Sequence, residues 1–295
     1  MELIDEILNP NQLKGRDTGY TDLDAITGGL RSGALCVLAG ATGMGKSLLA
    51  LNIISRMTKQ GVRCFYMDLE NGYATSQRRL LKIHFGVDDV FLSNESNRGE
   101  IEQMLLELSS INYLDHEGLS VKGKSMLASI LGFMQATRMT TDLYLIDPLQ
   151  VIESSLSSNQ LYQEQGNIIK ILKEFAQKYD KTVIVCHHIR KSTAGGGNWV
   201  EDVDDVGDVK YRVPTLDDLR GSGKISDFAT DVWALVRSMS NATEEGRSRT
   251  LVRVLKNRNG NLGDIKLRFS AKDLTFKERV PFAIDIMPQM NLDNL

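Results

Sequence analysis

The chain has 295 residues, a formal net charge of −3, 42% apolar residues and 25% charged ones. This is the composition of an ordinary globule, large enough for one sizeable α/β domain or two small ones. It excludes a uniformly basic coat for nucleic acid but leaves room for a local basic channel, because phosphate contacts are made by patches.

In chain order, Leu3, Ile4, Ile7 and Leu8 fall on one helical face before Asn9-Pro10-Asn11 stops the helix. This amphipathic arm can fold back on its own core or dock on a neighbouring subunit. The start, Met1-Glu2-Leu3-Ile4-Asp5-Glu6, is acidic and unlike a signal peptide. No apolar run nears the roughly 20 residues of a membrane span. We therefore expect a cytoplasmic protein with no membrane partner. Thr18 to Gly33 is turn-rich and leads into Ala34-Leu35-Cys36-Val37-Leu38-Ala39, a buried-strand pattern.

Gly40-Ala41-Thr42-Gly43-Met44-Gly45-Lys46-Ser47 follows, a G-x-x-x-x-G-K-[ST] phosphate-binding loop, with a helical pattern after it. Glycine lets backbone N–H groups turn inward toward phosphate oxygens, and the helix N-terminus adds partial positive charge. Gly40, Thr42, Gly43, Gly45, Lys46, Ser47 and Leu48 are the candidate nucleotide cradle. Lys46 can reach the β- and γ-phosphates, and Ser47 can ligate Mg²⁺.

Strand patterns at 35–39, 62–69, 143–146 and 182–187 alternate with helical patterns near 46–60, 74–85, 124–138 and 160–179. Such alternation predicts a mainly parallel sheet flanked by helices. Closely spaced strands at 231–237, 249–256 and 264–269 predict antiparallel edge strands at the C-terminal end. The strand over 65–69 ends in Asp68-Leu69-Glu70; Glu70 is the candidate base that polarises attacking water, and Asp68 is expected to face the other way. Leu143-Tyr144-Leu145-Ile146-Asp147 places an aspartate where Mg²⁺ is held in phosphate-loop ATPases. The strand at 182–187 leads into His187-His188, either of which can face a γ-phosphate. Cys36, Cys64 and Cys186 lie in apolar runs and read as reduced core thiols. No Cys/His spacing suggests zinc. Residues 154–159 and 193–214 read as loops, the second Gly-rich and then acidic. Near the end, Arg253, Lys256 and Arg258 alternate with apolar residues, and a cation delivered to the γ-phosphate would stabilise the transition state.

Several motifs now stand in order: Thr18-Gly19-Tyr20, the phosphate loop, Asp68-Leu69-Glu70, Ile146-Asp147-Pro148-Leu149-Gln150, Leu172-Lys173-Glu174-Phe175-Ala176, Asp218-Leu219-Arg220-Gly221-Ser222-Gly223 and Lys256-Asn257-Arg258-Asn259-Gly260. With them the chain resembles the RecA-like motor domain of DnaB-family (superfamily 4) replicative helicases, including phage primase-helicases and Twinkle-type enzymes. The resemblance implies a P-loop NTPase fold and ATP with Mg²⁺. It implies Lys46, Ser47, Asp147 and Gln150 around nucleotide, with Glu70 as catalytic carboxylate. Arg258 would be an arginine finger acting in trans, with Lys256 beside it. His188 would be the γ-phosphate sensor, with His187 the alternative. Arg220 would link nucleotide to DNA, and Arg190, Lys191 and Lys210 would follow single-stranded DNA on channel loops near 154–162 and 190–213. The implied assembly is a homo-oligomeric ring, a hexamer, moving 5′→3′, with primase, polymerase or single-strand-binding protein as further partners. We expect an arm at 1–15, the motor at 16–280 and a tail at 281–295. A compact motor with only that arm ahead of it suggests a phage or other mobile element. A RecA/RadA-like recombination ATPase and a nucleotide-gated scaffold or loader are the alternatives.

Overall fold

In the computed structural model, residues 4, 14–119, 125–153, 161–189, 198–204, 207–219, 222–237 and 244–279 are described. The expected arm helix apart from Ile4, the tail, the loop at 154–160, Arg190, Lys191 and Arg220 lie outside these residues.

The chain alternates, as its apolar periodicity predicts. Helix α1 (Thr21–Thr27) precedes β1 (Leu35–Gly40), α2 (Lys46–Lys59), β2 (Cys64–Asp68), α3 (Tyr73–Phe85), α4 (Arg98–Leu108), β3 (Asn112–Asp115), α5 (Met126–Thr137), β4 (Leu143–Asp147), α6 (Leu161–Tyr179) and β5 (Thr182–His188). A hairpin, β6 (Asn198–Asp204) and β7 (Gly207–Val213), is followed by α7 (Ser222–Phe228), β8 (Asp231–Arg237), β9 (Arg249–Asn257), β10 (Gly263–Ser270) and β11 (Thr275–Glu278). Among the described residues, nine strands form one sheet in the order β11-β10-β9-β8-β1-β5-β4-β2-β3. Strands β8, β1, β5, β4, β2 and β3 run parallel. Strands β9, β10 and β11 are antiparallel, as the close spacing predicts.

Both faces of the parallel part are covered, which explains why its strands read as unbroken apolar runs. Along β1, Cys36 and Leu38 pack with α2, α3 and α4, while Leu35, Val37 and Ala39 pack with α5, α6 and α7. Register fixes what each sheet edge carries. Gly40 pairs with His188 and Asp68 with Asp147, so the ends of β1, β2, β4 and β5 meet at one edge. Strand β9 runs the other way: Asn257 pairs with Asp231, which pairs with Cys36 near the start of β1. The segment after Asn257 therefore lies at the opposite edge.

Three expectations need correction. The segment expected as a loop over 193–214 contains the β6–β7 hairpin, in which Val200 pairs with Tyr211 and Asp202 with Val209. The acids mask a period-two pattern of β-formers that the ladder uses. Lys210, expected on a channel loop, sits within β7 opposite Glu201. Strands β3 and β11 were not expected. Each is four residues long at an end of the sheet and mostly half-exposed, too short for a period to show.

Candidate active site

The loop between β1 and α2 is shaped by glycine. A Cβ at Gly40 would lie 2.8 Å from the Leu235 carbonyl oxygen. Gly45, which starts α2, has φ of 96°, a region costly for any other residue. The first N–H groups of α2 are thereby left to face an anion.

Lys46 runs back into this loop. It is buried, and its Nζ donates to the Ala41 carbonyl at 3.0 Å and meets His188 Nδ1 at 3.2 Å. Thr42 Oγ1 lies 3.3 Å from the same Nδ1. His188 thus touches the loop directly. His187 points into the protein, where its Nδ1 meets Gln150 Nε2 at 2.8 Å. Of the two histidines, the structure brings His188 to the cradle. Burial lowers the Lys46 pKa, opposed by the carboxylates of Asp147 and Glu70.

Asp147 is buried at the end of β4. Burial pushes its carboxyl up to about 6, against hydrogen bonds from Ser47 and Cys186 and the charge of Lys46. Its Oδ2 has no hydrogen-bond partner. A buried carboxylate oxygen without a donor is costly, and one beside a phosphate loop and the Ser47 hydroxyl fits a divalent cation.

Glu70 is exposed at the same edge, just past β2. The expectation that Asp68 faces the other way is not met: residues two apart in a strand share a face, and Asp68 pairs in register with Asp147 and adds its charge to that carboxyl. It also shapes the turn. Its Oδ1 accepts from the backbone N–H of Glu70 at 3.1 Å and of Asn71 at 2.9 Å, and its Oδ2 accepts from Ser76. The Asp-x-Glu-Asn order is an Asx-turn signal that could have revealed this. Cys186, beside Asp147, was read only as a core thiol.

Arg258 and Lys256 are not at this edge. Arg258 is exposed; its backbone N–H donates to the Thr230 carbonyl at 3.1 Å and its guanidinium to the Asp227 carbonyl. Lys256 Nζ donates to the Ala229 carbonyl at 2.6 Å and to that of Ser226. Both cap the C-terminal end of α7. Strand β1 separates them from the phosphate loop, roughly 16–20 Å at 3.3 Å per residue.

A family model for the DnaB-like helicase C-terminal domain matches residues 15–278. The chain belongs to this family. The DnaB-like chain is similar to a probable replicative DNA helicase of Trieres chinensis, 28% identical over 279 residues, covering 90% of this chain and 57% of that protein. It is also similar to the replicative DNA helicase DnaB of Mycoplasma genitalium, 26% identical over 285 residues, covering 90% of this chain and 56% of that protein. The DnaB-like chain therefore spans a little over half the length of these curated relatives. In fold it is similar to the ATPase domain of G40P, with a TM-score of 0.76, 22% identity and coverage of 95% of this chain and 96% of the other. A DnaB-like replicative helicase, described with its interactions with primase, gives a TM-score of 0.77 at 21% identity over 95% of this chain and 65% of that one. The RecA-like core with antiparallel edge strands agrees with both. Among the described residues, no helix is long and apolar enough to cross a membrane.

Proposed function

We propose that the chain is an ATP-driven motor that translocates on single-stranded DNA and unwinds duplex DNA during replication, working as a ring of identical subunits. One observation carries the reading. Lys46, Ser47, Asp147, Glu70 and His188 gather at one sheet edge, whereas Lys256 and Arg258 stand at the opposite edge. No single copy can bring both sets to one nucleotide, so a complete site needs a neighbour. Repeating such a head-to-tail contact closes a ring; six copies would match the resemblance.

The backbone N–H groups at 43–47 and the Lys46 ammonium would hold the phosphates. Ser47 and the free Oδ2 of Asp147 would hold Mg²⁺, which neutralises charge on the phosphate oxygens. Glu70 would orient and polarise the attacking water. His188, touching both Lys46 and Thr42, would sense the γ-phosphate, with Gln150 behind it through His187. Arg258 from the next subunit would meet charge developing on the γ-phosphate, with Lys256 beside it. Arg190, Lys191 and Lys210 remain the DNA-binding candidates, and Arg220 the link to the nucleotide site. Primase is the partner that the fold neighbour's description suggests.

The test is ATP turnover with and without single-stranded DNA, alongside unwinding of a forked duplex, with Glu70→Gln as the control. DNA-stimulated turnover and unwinding by closed rings are expected. An assembled particle that binds ATP but neither turns it over nor unwinds would refute the reading, and filaments on DNA would favour a recombination ATPase.

A further inference from the structure

Lys173 belongs to a motif that the reading above leaves without a role. It lies on α6, amid Ile169, Leu172 and Ala176, and is only 9% exposed. An ammonium is costly to bury, and methionine would fill the same space without the cost. Its partners show what it holds. Nζ donates to the Gly33 carbonyl at 2.6 Å and to Thr230 Oγ1 at 2.9 Å. Thr230 is knitted to β1 in both directions: its N–H donates to the Leu35 carbonyl at 2.8 Å, and its Oγ1 accepts from the Leu35 N–H at 3.1 Å. The Thr230 carbonyl accepts the Arg258 backbone N–H, and the preceding Ala229 carbonyl accepts Lys256 Nζ. The next residue, Asp231, is a buried carboxylate among the charges of Arg31, Lys173 and Lys256. Residues 229–231 are therefore one seat shared by Lys173, Lys256 and Arg258.

We propose that Lys173 is a positioning residue for the Lys256–Arg258 pair: it pins the Thr230 seat to the turn before β1 and so fixes the outward reach of Arg258 toward a neighbour's nucleotide. The proposal rests on the reading that this pair acts in trans. Burial lowers the Lys173 pKa, the positive charge of Arg258 pushes the same way, and Asp231 opposes them. The Arg258 guanidinium donates to the Asp227 carbonyl, two residues before this seat. Lys173 touches no phosphate, so its loss leaves its own subunit's cradle whole and blunts the site next door.

The experiment uses mixed rings. Lys173→Met alone is expected to lose turnover on the order of 10²-fold, the scale of a small misplacement of a reacting group, with KM for ATP near wild type. Glu70→Gln alone is expected to be slowed about 10²–10⁴-fold but carries an intact cation pair. After equimolar mixing and reassembly, about one interface in four joins a Lys173→Met cradle to a Glu70→Gln finger. Turnover should rise above both parents toward that fraction of wild type, a gain that misfolded subunits could not give. A parallel mixture of Arg258→Ala with Glu70→Gln serves as control. Recovery in the control but none with Lys173→Met overturns the proposal and spares the trans reading. Failure of both mixtures overturns the trans reading and the proposal with it. Wild-type turnover by Lys173→Met alone also overturns the proposal.

Discussion

At the edge where the parallel strands end, the charged groups are mostly enclosed: Lys46 and Asp147 are buried and tied to Ala41, His188, Ser47 and Cys186. At the opposite edge, the Arg258 side chain is exposed and its guanidinium rests on a helix-end carbonyl. The first arrangement is preorganised, with little freedom to lose when an anion arrives. The second is anchored through its backbone while its head group lies at the surface. A binding site needs the one and a group delivered to another molecule needs the other, and the proposed sharing of a nucleotide between two copies rests on that contrast.

The sharpest way to break this contrast is to remove the delivered group. Arg258→Ala should reduce ATP turnover by roughly 10³–10⁵-fold while rings still bind nucleotide, as steady-state kinetics and a fluorescent nucleotide titration would show. Normal turnover by an assembled Arg258→Ala ring would remove the trans finger. Next, Glu70→Gln should cost about 10²–10⁴-fold in kcat with little change in ATP affinity; a defect confined to KM would mean that Glu70 serves binding instead.

The enclosed edge can be probed from behind. The Phe276 ring is fully buried, packs on Phe269 at 4.9 Å and would lie 3.4 Å from a Cβ at Gly45. Asn52 holds the same segment, accepting from the Phe276 N–H at 3.1 Å and donating to the Leu274 carbonyl at 2.9 Å. Phe276→Ala should cost about 3–5 kcal/mol of stability in urea melts and weaken ATP binding by loosening the start of α2. Unchanged affinity in a destabilised protein would show that the loop holds its shape alone.

The smallest effect concerns a pair remote from both sets of groups. Hydrogen bonds from Arg63 hold the Asp142 carboxyl down at about 2, below its ordinary value of 3.8. A depressed acid stabilises the fold fully above its unfolded value and loses that contribution as pH falls through the folded one. Asp142→Asn should therefore lower the urea midpoint slightly at pH 7, and the gap should narrow as pH falls from 5 toward 3. A gap independent of pH would assign the loss to packing instead of charge.

The enclosed edge was the more legible in the sequence. Glycine spacing, a lysine and strand-end carboxylates are local patterns, and the residues they pick out, Lys46, Ser47, Glu70 and Asp147, lie at one edge. The mainly parallel core followed from apolar periodicity, and β8, β9 and β10 were placed within a residue or so of where they lie. What escaped was non-local. That Arg258 lies opposite the cradle depends on the antiparallel turn of β9, and that Lys173 meets Thr230 depends on two segments 57 residues apart. The β6–β7 hairpin was hidden by its acids. Strand-end geometry also separates the two histidines that the sequence left side by side, since β5 turns His187 inward and His188 toward Lys46.

The most direct measurement is a reconstruction of the assembled particle with an unreactive ATP analogue and single-stranded DNA. The account predicts a closed ring in which each γ-phosphate lies between Lys46 of one subunit and the Arg258 guanidinium of the next. Nucleotide seated on Lys46 with every Arg258 far from phosphate, in particles competent for turnover, would contradict it.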